Sequence, residues 1–168
     1  MNIFLIGMMG SGKSSVGHSL SKHLTNTFYD LDKEVEKRFN LSIRDIFIEY
    51  GEDLFRKEEN KLLKELEISS DLIVSTGGGI VLSEENRTIL KKNKTYFLEA
   101  NIEDMYERAI KKENNRPLLK GMDITKFKEL YIKRRDLYVE SATTTINVGK
   151  KSIEDLTIEI IENEKNII

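Results

Sequence analysis

The sequence contains no cysteine and no tryptophan, and it has one proline among its 168 residues. Without cysteine, the chain has no disulfide framework, no thiolate zinc site and no cysteine nucleophile. Its apolar runs are all too short to cross a membrane. The apolar stretch at residues 3–9 could imitate the core of a signal sequence, but it is interrupted by glycine and no basic segment precedes it. We therefore expect a cytoplasmic protein that has no membrane partner.

An excess of charge of either sign is also missing. The chain has 27 Lys and Arg residues against 29 Asp and Glu residues, and its formal net charge is −2. This balance argues against broad electrostatic binding to nucleic acid, so any anion must be bound at a local site. The length fits one domain with its own core. We expect a monomer in which residues 1–168 form a single domain.

Short apolar runs alternate with helical patterns along the whole chain. The five strand candidates are residues 3–6, 27–29, 72–75, 95–98 and 143–148. This alternation predicts an α/β fold, a three-layer sandwich in which helices cover both faces of a five-stranded parallel sheet. The carboxyl ends of parallel strands share one edge of the sheet, and ligands bind at that edge in open α/β folds.

A glycine-rich loop, GMMGSGKS at residues 7–14, joins the first strand to the first helix. The spacing of one glycine, four residues and Gly-Lys-Ser is that of a phosphate-binding loop, whose backbone N–H groups surround phosphate oxygens. The Lys13 ammonium can reach the β- and γ-phosphates, and the Ser14 hydroxyl can bind Mg²⁺. The loop therefore predicts a nucleoside triphosphate site, formed by Gly10, Ser11, Gly12, Lys13, Ser14 and Ser15.

Two further strand candidates end in residues that suit a ligand site. Asp30 and Asp32 follow the second strand, although Asp32 could instead cap the helix that begins there. The third strand ends in Gly77–Gly79, where three successive backbone N–H groups can meet an anion or a hydroxyl directly. The alternative for these glycines is a flexible turn. With the phosphate loop, both segments should lie at one edge of the sheet.

Two arginines lie at helix positions that indicate a bound anion. Arg56 comes three residues before Glu59, so the Glu59 carboxylate can hold its guanidinium, although an ordinary intrahelical ion pair fits equally well. Arg134 lies on the apolar stripe of its helix, where it needs either a buried acid or a ligand anion. Two arginines with a nearby aspartate suit a small carboxylic acid that bears hydroxyl groups. The arginines would bind its carboxylate, and the aspartate would accept a hydroxyl proton.

A polar segment between two helices, at about residues 111–121, contains the proline and Arg116. A segment of this kind can serve as a lid that excludes water and brings a positive charge to a transferring phosphoryl group.

His18 and His23 have no acidic or hydroxyl partner at a useful spacing on their helix. We interpret both histidines as structural.

Six features in this order resemble the shikimate kinases, which belong to the P-loop group of nucleoside-monophosphate-kinase-like folds. They are GMMGSGKS at 7–14, Asp30-Leu31-Asp32, Phe55-Arg56-x-x-Glu59, Gly77-Gly78-Gly79, Arg116-Pro117-Leu118-Leu119, and Lys133-Arg134 followed by Leu137-Tyr138. The resemblance covers nearly the whole chain. It implies a P-loop kinase fold of that type and transfer of the γ-phosphate of ATP to the 3-hydroxyl of shikimate, in aromatic amino-acid biosynthesis.

The resemblance also implies roles for individual residues. The catalytic residues would be Asp32, Lys13 and Arg116, and Arg116 would also bind the phosphates of ATP. Shikimate would be bound by Asp32, Arg56, Gly77, Gly78, Gly79 and Arg134. Mg²⁺ would accompany the co-substrate ATP, with Ser14 and Asp30 in its environment. The substrate-binding helical segment would span about 32–68, and the lid about 111–121. The interval from Arg108 to Arg116 is one residue longer than is common in the family, so Arg108 is not assigned to adenine.

Other phosphate-loop proteins remain as alternatives. Gluconokinase is the nearest, because its substrate is also a polyhydroxy carboxylate, but the full set of six motifs favours shikimate. A nucleoside monophosphate kinase would need a base-binding pocket that residues 31–68 do not suggest. A GTP-binding switch would need Asn-Lys-x-Asp, and the segment 93–96 lacks the aspartate. A regulatory protein on the same fold should have lost catalytic residues, and none is missing.

Overall fold

Five parallel strands form one sheet in the computed structural model, which describes residues 2–111, 119 and 121–165. They are β1 (Ile3–Ile6), β2 (Thr27–Asp30), β3 (Leu72–Ser75), β4 (Lys94–Glu99) and β5 (Thr144–Asn147). Their order across the sheet is β2-β3-β1-β4-β5. The central strand β1 pairs with β3 on one side and with β4 on the other, so every side chain of Ile3–Ile6 is fully buried.

Helices connect the strands, as parallel pairing requires. They are α1 (Lys13–Leu24), α2 (Leu31–Phe39), α3 (Ile43–Glu67), α4 (Glu84–Lys92), α5 (Ile102–Ile110), α6 (Ile124–Ser141) and α7 (Ile153–Lys165), and a 3₁₀ turn spans Ile80–Leu82. Helix α1 packs on α7, and α4 and α5 pack on α6. The predicted α/β fold with a five-stranded parallel sheet is confirmed. None of the described helices is long and apolar enough to span a membrane.

Helix ends agree with the sequence in most places and differ at Asp32. The Asn101 side chain accepts hydrogen bonds from the backbone N–H groups of Glu103 and Asp104 and so caps α5. The residue that caps α2 is Asp30, whose Oδ1 accepts from the Lys33 N–H, and Asp32 lies inside the first turn. The alternative in which Asp32 acts as the cap is therefore wrong, because the helix begins two residues earlier than that alternative requires.

From the sequence, Gly51 predicts a break between a short helix at 43–50 and a longer one at about 53–68. The break is present inside α3, where Gly51 has φ 81° and ψ 167°. Spacing on the first helix predicted no acidic partner for either histidine, but His23 meets an acid from another helix. Its Nε2 lies 3.1 Å from Oε1 of Glu154, which α7 supplies from the far end of the chain. The His18 ring instead packs on Phe28, with ring centroids 3.9 Å apart.

Candidate active site

The loop after β1 turns tightly and begins α1 at Lys13. Gly10 has φ 83°, a left-handed conformation that side chains disfavour, and a Cβ atom on it would overlap the carbonyl oxygen of Met105 in α5. Only glycine therefore fits at this position. The tight turn brings the loop backbone and the N-terminus of α1 together, which creates a place for an anion.

The Lys13 side chain is held within this loop. Lys13 is 8% exposed, and its Nζ donates hydrogen bonds to the carbonyl oxygens of Gly7 (2.9 Å) and Met8 (3.0 Å). A cation surrounded by loop carbonyls on one side and by the helix N-terminus on the other is positioned for phosphate oxygens. The role predicted for Lys13 therefore fits its surroundings.

Ser14 and Asp30 meet at the edge of the sheet, as the sequence predicted. The Ser14 hydroxyl donates to Oδ2 of Asp30 at 2.9 Å, and it lies 3.3 Å from the hydroxyl of Ser75. Ser75 is paired with Asp30 in the register of β2 and β3. The sequence analysis missed Ser75. Its signal was the serine that ends the apolar run Leu72–Ser75, and only the strand order shows which residues it faces.

Asp32 and Glu59 converge on the first glycine of Gly77–Gly79. A Cβ atom on Gly77 would lie 2.7 Å from both Oδ1 of Asp32 and Oε1 of Glu59, so the absence of a side chain lets both carboxyl groups approach. Burial, reinforced by the neighbouring Glu59 and Asp30 carboxylates, raises the pKa of Asp32 to about 7. Lys13 and Arg56 oppose this rise. A carboxyl group with such a pKa can exchange a proton near neutral pH.

The Arg56 guanidinium lies against Gly79, where a side chain would overlap it. Its Nη1 donates to Oε2 of Glu59 at 2.8 Å, and its Nε and Nη2 donate to Oε1 of Glu52 at 3.2 and 3.0 Å. Glu59 is fully buried, and that burial raises its pKa although Arg56 and Arg134 counteract the rise. The pair is thus more than a surface contact on one helix, because its acid is enclosed beside the triple glycine.

Arg134 is 4% exposed, and its Nη1 donates to the carbonyl oxygen of Gly78 at 3.3 Å. Its Nε is buried without a hydrogen-bond partner, and the structure records no ion pair for it among the described residues. A buried cation that contacts a neutral carbonyl still has donors for an incoming anion. Both alternatives for Arg134 stay predictions: the buried Glu59 carboxylate attracts it without an ion pair, and its Nε keeps a donor for a ligand anion.

Tyr138 is a second residue at this place that the sequence analysis did not assign. It lies one helical turn after Arg134, and its hydroxyl donates to the same Gly78 carbonyl at 2.5 Å. Its ring stacks on Phe97 of β4, with centroids 5.1 Å apart. Burial raises the pKa of Tyr138, so it stays a neutral donor. The Gly78 carbonyl is therefore fixed from α6 by two side chains.

A cleft opens above the phosphate loop. It is lined by Gly10, Gly12, Lys13, Ser14 and Ser15, together with Arg108 and Lys111. Arg108 was not assigned from the sequence, yet its Nη1 lies 3.3 Å from the carbonyl oxygen of Gly10. Its contact with the loop depends on how α5 packs, which the sequence spacing did not reveal. Arg116 and most of the predicted lid lie outside the described residues.

Comparisons with known proteins agree with this geometry. The family model for shikimate kinase matches residues 9–165. A shikimate kinase of Nitrosospira multiformis is 45% identical over 153 residues, which cover 90% of this chain and 78% of that protein. The structure of a shikimate kinase from Acinetobacter baumannii in complex with shikimate matches with a TM-score of 0.93 and 34% identity, covering 98% of this chain and 93% of the other.

The nearest alternative matches much less closely. A gluconokinase from Sinorhizobium meliloti shares 15% identity at a TM-score of 0.58, covering 99% of this chain and 92% of the other. Such a likeness shows a common fold and no more. The family model and the close relatives instead agree on one identity: the chain belongs to the shikimate kinase family.

Proposed function

We propose that the protein transfers the γ-phosphate of ATP to the 3-hydroxyl of shikimate, giving shikimate 3-phosphate and ADP for aromatic amino-acid biosynthesis. One observation carries the proposal. The phosphate loop and the arginine pocket share a wall, because a Cβ atom on Gly78 would lie 3.3 Å from the backbone nitrogen of Met9. A phosphoryl group bound in the loop and an acid bound at the arginines would therefore be neighbours.

The carboxylate of shikimate would bind to Arg56 and Arg134. Arg56 is held by the enclosed Glu59, and Arg134 keeps a buried donor at Nε. Two guanidinium groups from different helices fix both the position and the orientation of a planar carboxylate. The backbone of Gly77–Gly79 would lie alongside the ring and its hydroxyl groups, since it carries no side chains.

Asp32 would act on the hydroxyl that reacts. Its pKa of about 7 leaves a substantial ionised fraction at neutral pH and lets it accept the hydroxyl proton. The hydroxyl oxygen then forms a bond to the γ-phosphorus, the bond from that phosphorus to the β–γ bridging oxygen breaks, and ADP leaves. Lys13 and the loop N–H groups would bind the charge on the phosphate oxygens, and Arg116 would add a further positive charge.

The residues present fit a magnesium ion bound together with ATP. Magnesium prefers oxygen ligands and is commonly held by one or two protein oxygens and by substrate phosphates, and the Ser14 hydroxyl and the Asp30 carboxylate supply such oxygens side by side. No group of three or more His, Cys, Asp or Glu residues that could hold a metal occurs among the described residues. When bound, the ion would neutralise charge on the β- and γ-phosphates.

The arrangement of the chain belongs to the same proposal. Residues 1–168 form one kinase domain, in which the helical segment of about 32–68 binds shikimate and the segment of about 111–121 serves as a lid. We expect the enzyme to be monomeric, and its balanced charge supports one that needs no nucleic acid or membrane. We place it in the cytoplasm, since the chain has no cysteine and its apolar runs are short.

An assay of ADP release tests the proposal. Purified protein with ATP and Mg²⁺ is offered shikimate, gluconate and several nucleoside monophosphates in separate reactions. We expect ADP to form with shikimate and not with the others, and we expect the Lys13→Ala variant to stay folded without releasing ADP, because the ammonium that binds the phosphates is gone. Turnover of gluconate but not shikimate, or wild-type turnover by Lys13→Ala, would contradict the proposal.

A further inference from the structure

The side of Arg56 that Glu59 leaves open is already occupied by an acid from the same helix. Nε and Nη2 of Arg56 both donate to Oε1 of Glu52, at 3.2 and 3.0 Å. These two N–H groups form the side-on edge of a guanidinium, an arrangement that suits a carboxylate. Glu52 therefore sits where one face of the predicted ligand pocket would receive its anion.

The two acids on Arg56 differ in how firmly they are placed. The Glu59 side chain is fully buried, whereas the Glu52 side chain is 44% exposed. Glu52 also follows directly on Gly51, where the helical backbone is broken at φ 81°. Glu59 alone can therefore orient Arg56, and the Glu52 side chain can leave for solvent without disturbing a buried contact. A cleft beside the pair is lined by Glu52, Arg56, Gly79 and Ser83, so a ligand can reach the edge that Glu52 covers.

We propose that Glu52 is a specificity-determining residue, which occupies the Nε and Nη2 edge of Arg56 until the carboxylate of the substrate displaces it. This role rests on the proposed function, because it takes the substrate to be a carboxylic acid that also reaches Arg134. An acid on the same helix competes at a high effective concentration. Small anions that contact only Arg56 do not displace Glu52. An acid that also binds to Arg134 and Asp32 does displace it.

Calorimetric titration of shikimate into three proteins tests the role: the wild type, Glu52→Gln and Glu49→Gln. Glu49 is the matched control, because it is exposed, lies on the same helix and makes no hydrogen bond or ion pair with any residue that the structure describes. Removing the competing charge should lower the dissociation constant of shikimate about two- to fivefold in Glu52→Gln, the scale of an exposed ion pair. The Glu49→Gln variant should bind as the wild type does.

Acetate tests the selectivity of the pocket, because it has the carboxylate of shikimate without the ring. We expect acetate to compete with shikimate more strongly in Glu52→Gln than in the wild type, and we expect Glu52→Asp, whose shorter side chain keeps the charge, to fall between them. Unchanged or weaker shikimate binding in Glu52→Gln would overturn the role, and so would an equal gain in Glu49→Gln, which would show an effect of net charge.

The NMR resonance of the Arg56 Nε–H separates this role from the proposed function. It should shift on adding acetate to Glu52→Gln and stay in place on adding acetate to the wild type, whatever the natural substrate is. If the wild type binds no shikimate and the resonance behaves as expected, the proposed function fails and the competition at Arg56 stands. If shikimate binds and the resonance shifts equally in both proteins, the role of Glu52 is contradicted and the proposed function stands.

Discussion

Among the residues of the site, Arg134 is the one whose buried position is hardest to explain without a bound ligand. It is buried on α6, and its recorded hydrogen bond is to the neutral Gly78 carbonyl. We expect Arg134→Lys to keep the charge and lose the two-pronged geometry, so the affinity for shikimate should fall by about 1–3 kcal/mol. ATP affinity should barely change. Separate titrations of shikimate and ATP, with thermal melting of the variant, measure both effects. A collapse of the melting temperature with intact shikimate binding would show that Arg134 is structural.

Asp32 carries the second prediction at this scale. Asp32→Asn should reduce kcat about a hundredfold or more, because an amide cannot accept the hydroxyl proton. For the wild type, kcat/KM should fall as the pH drops below about 7, since protonation then removes the base. Steady-state kinetics across this pH range provide the measurement. A change confined to KM in the variant would make Asp32 a binding residue only.

Residue types and spacing predicted most of this site, and the failures share one cause. The phosphate loop, Asp30 and the Arg56–Glu59 pair are encoded within a few neighbouring positions, so pattern and helical spacing suffice to find them. Ser75 and Tyr138 act through contacts with Ser14 and Gly78, 61 and 60 positions away. No local pattern encodes such a contact, because it depends on which strands and helices become neighbours.

At the scale of elements, the phosphate loop and α5 are packed through backbone rather than through side chains. Gly10 lies directly against the Met105 carbonyl, whereas Gly12 has open space where a side chain would be. We expect Gly12→Ala to lower the free energy of unfolding by about 1–2 kcal/mol through left-handed strain alone. Gly10→Ala should cost about 1–3 kcal/mol more, because the methyl group must displace α5. Urea denaturation of both variants measures these free energies. Equal losses of stability would mean that the methyl group displaces α5 at no cost.

The lid remains a prediction about an element, since most of residues 111–121 lie outside the described residues. We expect their amide hydrogens to exchange rapidly without ligand and slowly when ATP and shikimate are both bound, because closure must exclude water from the transferring phosphoryl group. Hydrogen exchange measured with neither, either and both ligands tests this. Protection by ATP alone that equals protection by both would show a lid that does not respond to the acceptor.

Element boundaries could be predicted closely where a cap or a glycine marks them. The apolar stripe around Arg134 predicts a helix over about 124–141, and α6 spans Ile124–Ser141. The break at Gly51 was likewise predicted from that glycine. The start of α2 was misplaced, because the sequence analysis considered only Asp32 as a cap and Asp30 offers the same chemistry two positions earlier. The structure decides for Asp30, since its carboxylate bonds at once to the helix and to Ser14.

The stability of the whole molecule should depend on pH through Asp32, whose pKa is raised in the folded protein. The pKa of Asp32 is about 7 in the folded protein against 3.8 for an ordinary aspartic acid, so the folded state binds more protons between these pH values. The free energy of unfolding should therefore fall as the pH rises from about 4 to about 7, and this contribution should level off above it. Asp32→Asn lacks the contribution of Asp32 to this slope and keeps that of Glu59, whose pKa is also raised.

Urea denaturation of the wild type and Asp32→Asn at several pH values measures the difference between the two curves. Asp136→Asn is a suitable control, because its side chain is 97% exposed and carries the same charge change. The wild type should lose stability relative to Asp32→Asn on going from acid to neutral pH, and Asp136→Asn should follow the wild type. Parallel curves for all three proteins would show that Asp32 titrates as an ordinary exposed acid.

The strand order has a consequence for how the chain is made. The ribosome produces β1 first, but β1 pairs with β3 and β4, where Ile3 faces Ile73 and Lys94. Both neighbours emerge some seventy to ninety residues later, so the most deeply enclosed strand waits longest for its partners. A nascent chain that stalls before residue 72 would present four unpaired apolar residues, the kind of segment that chaperones bind and that aggregates when they do not. Newly synthesised chains, rather than mature ones, should therefore depend on chaperones.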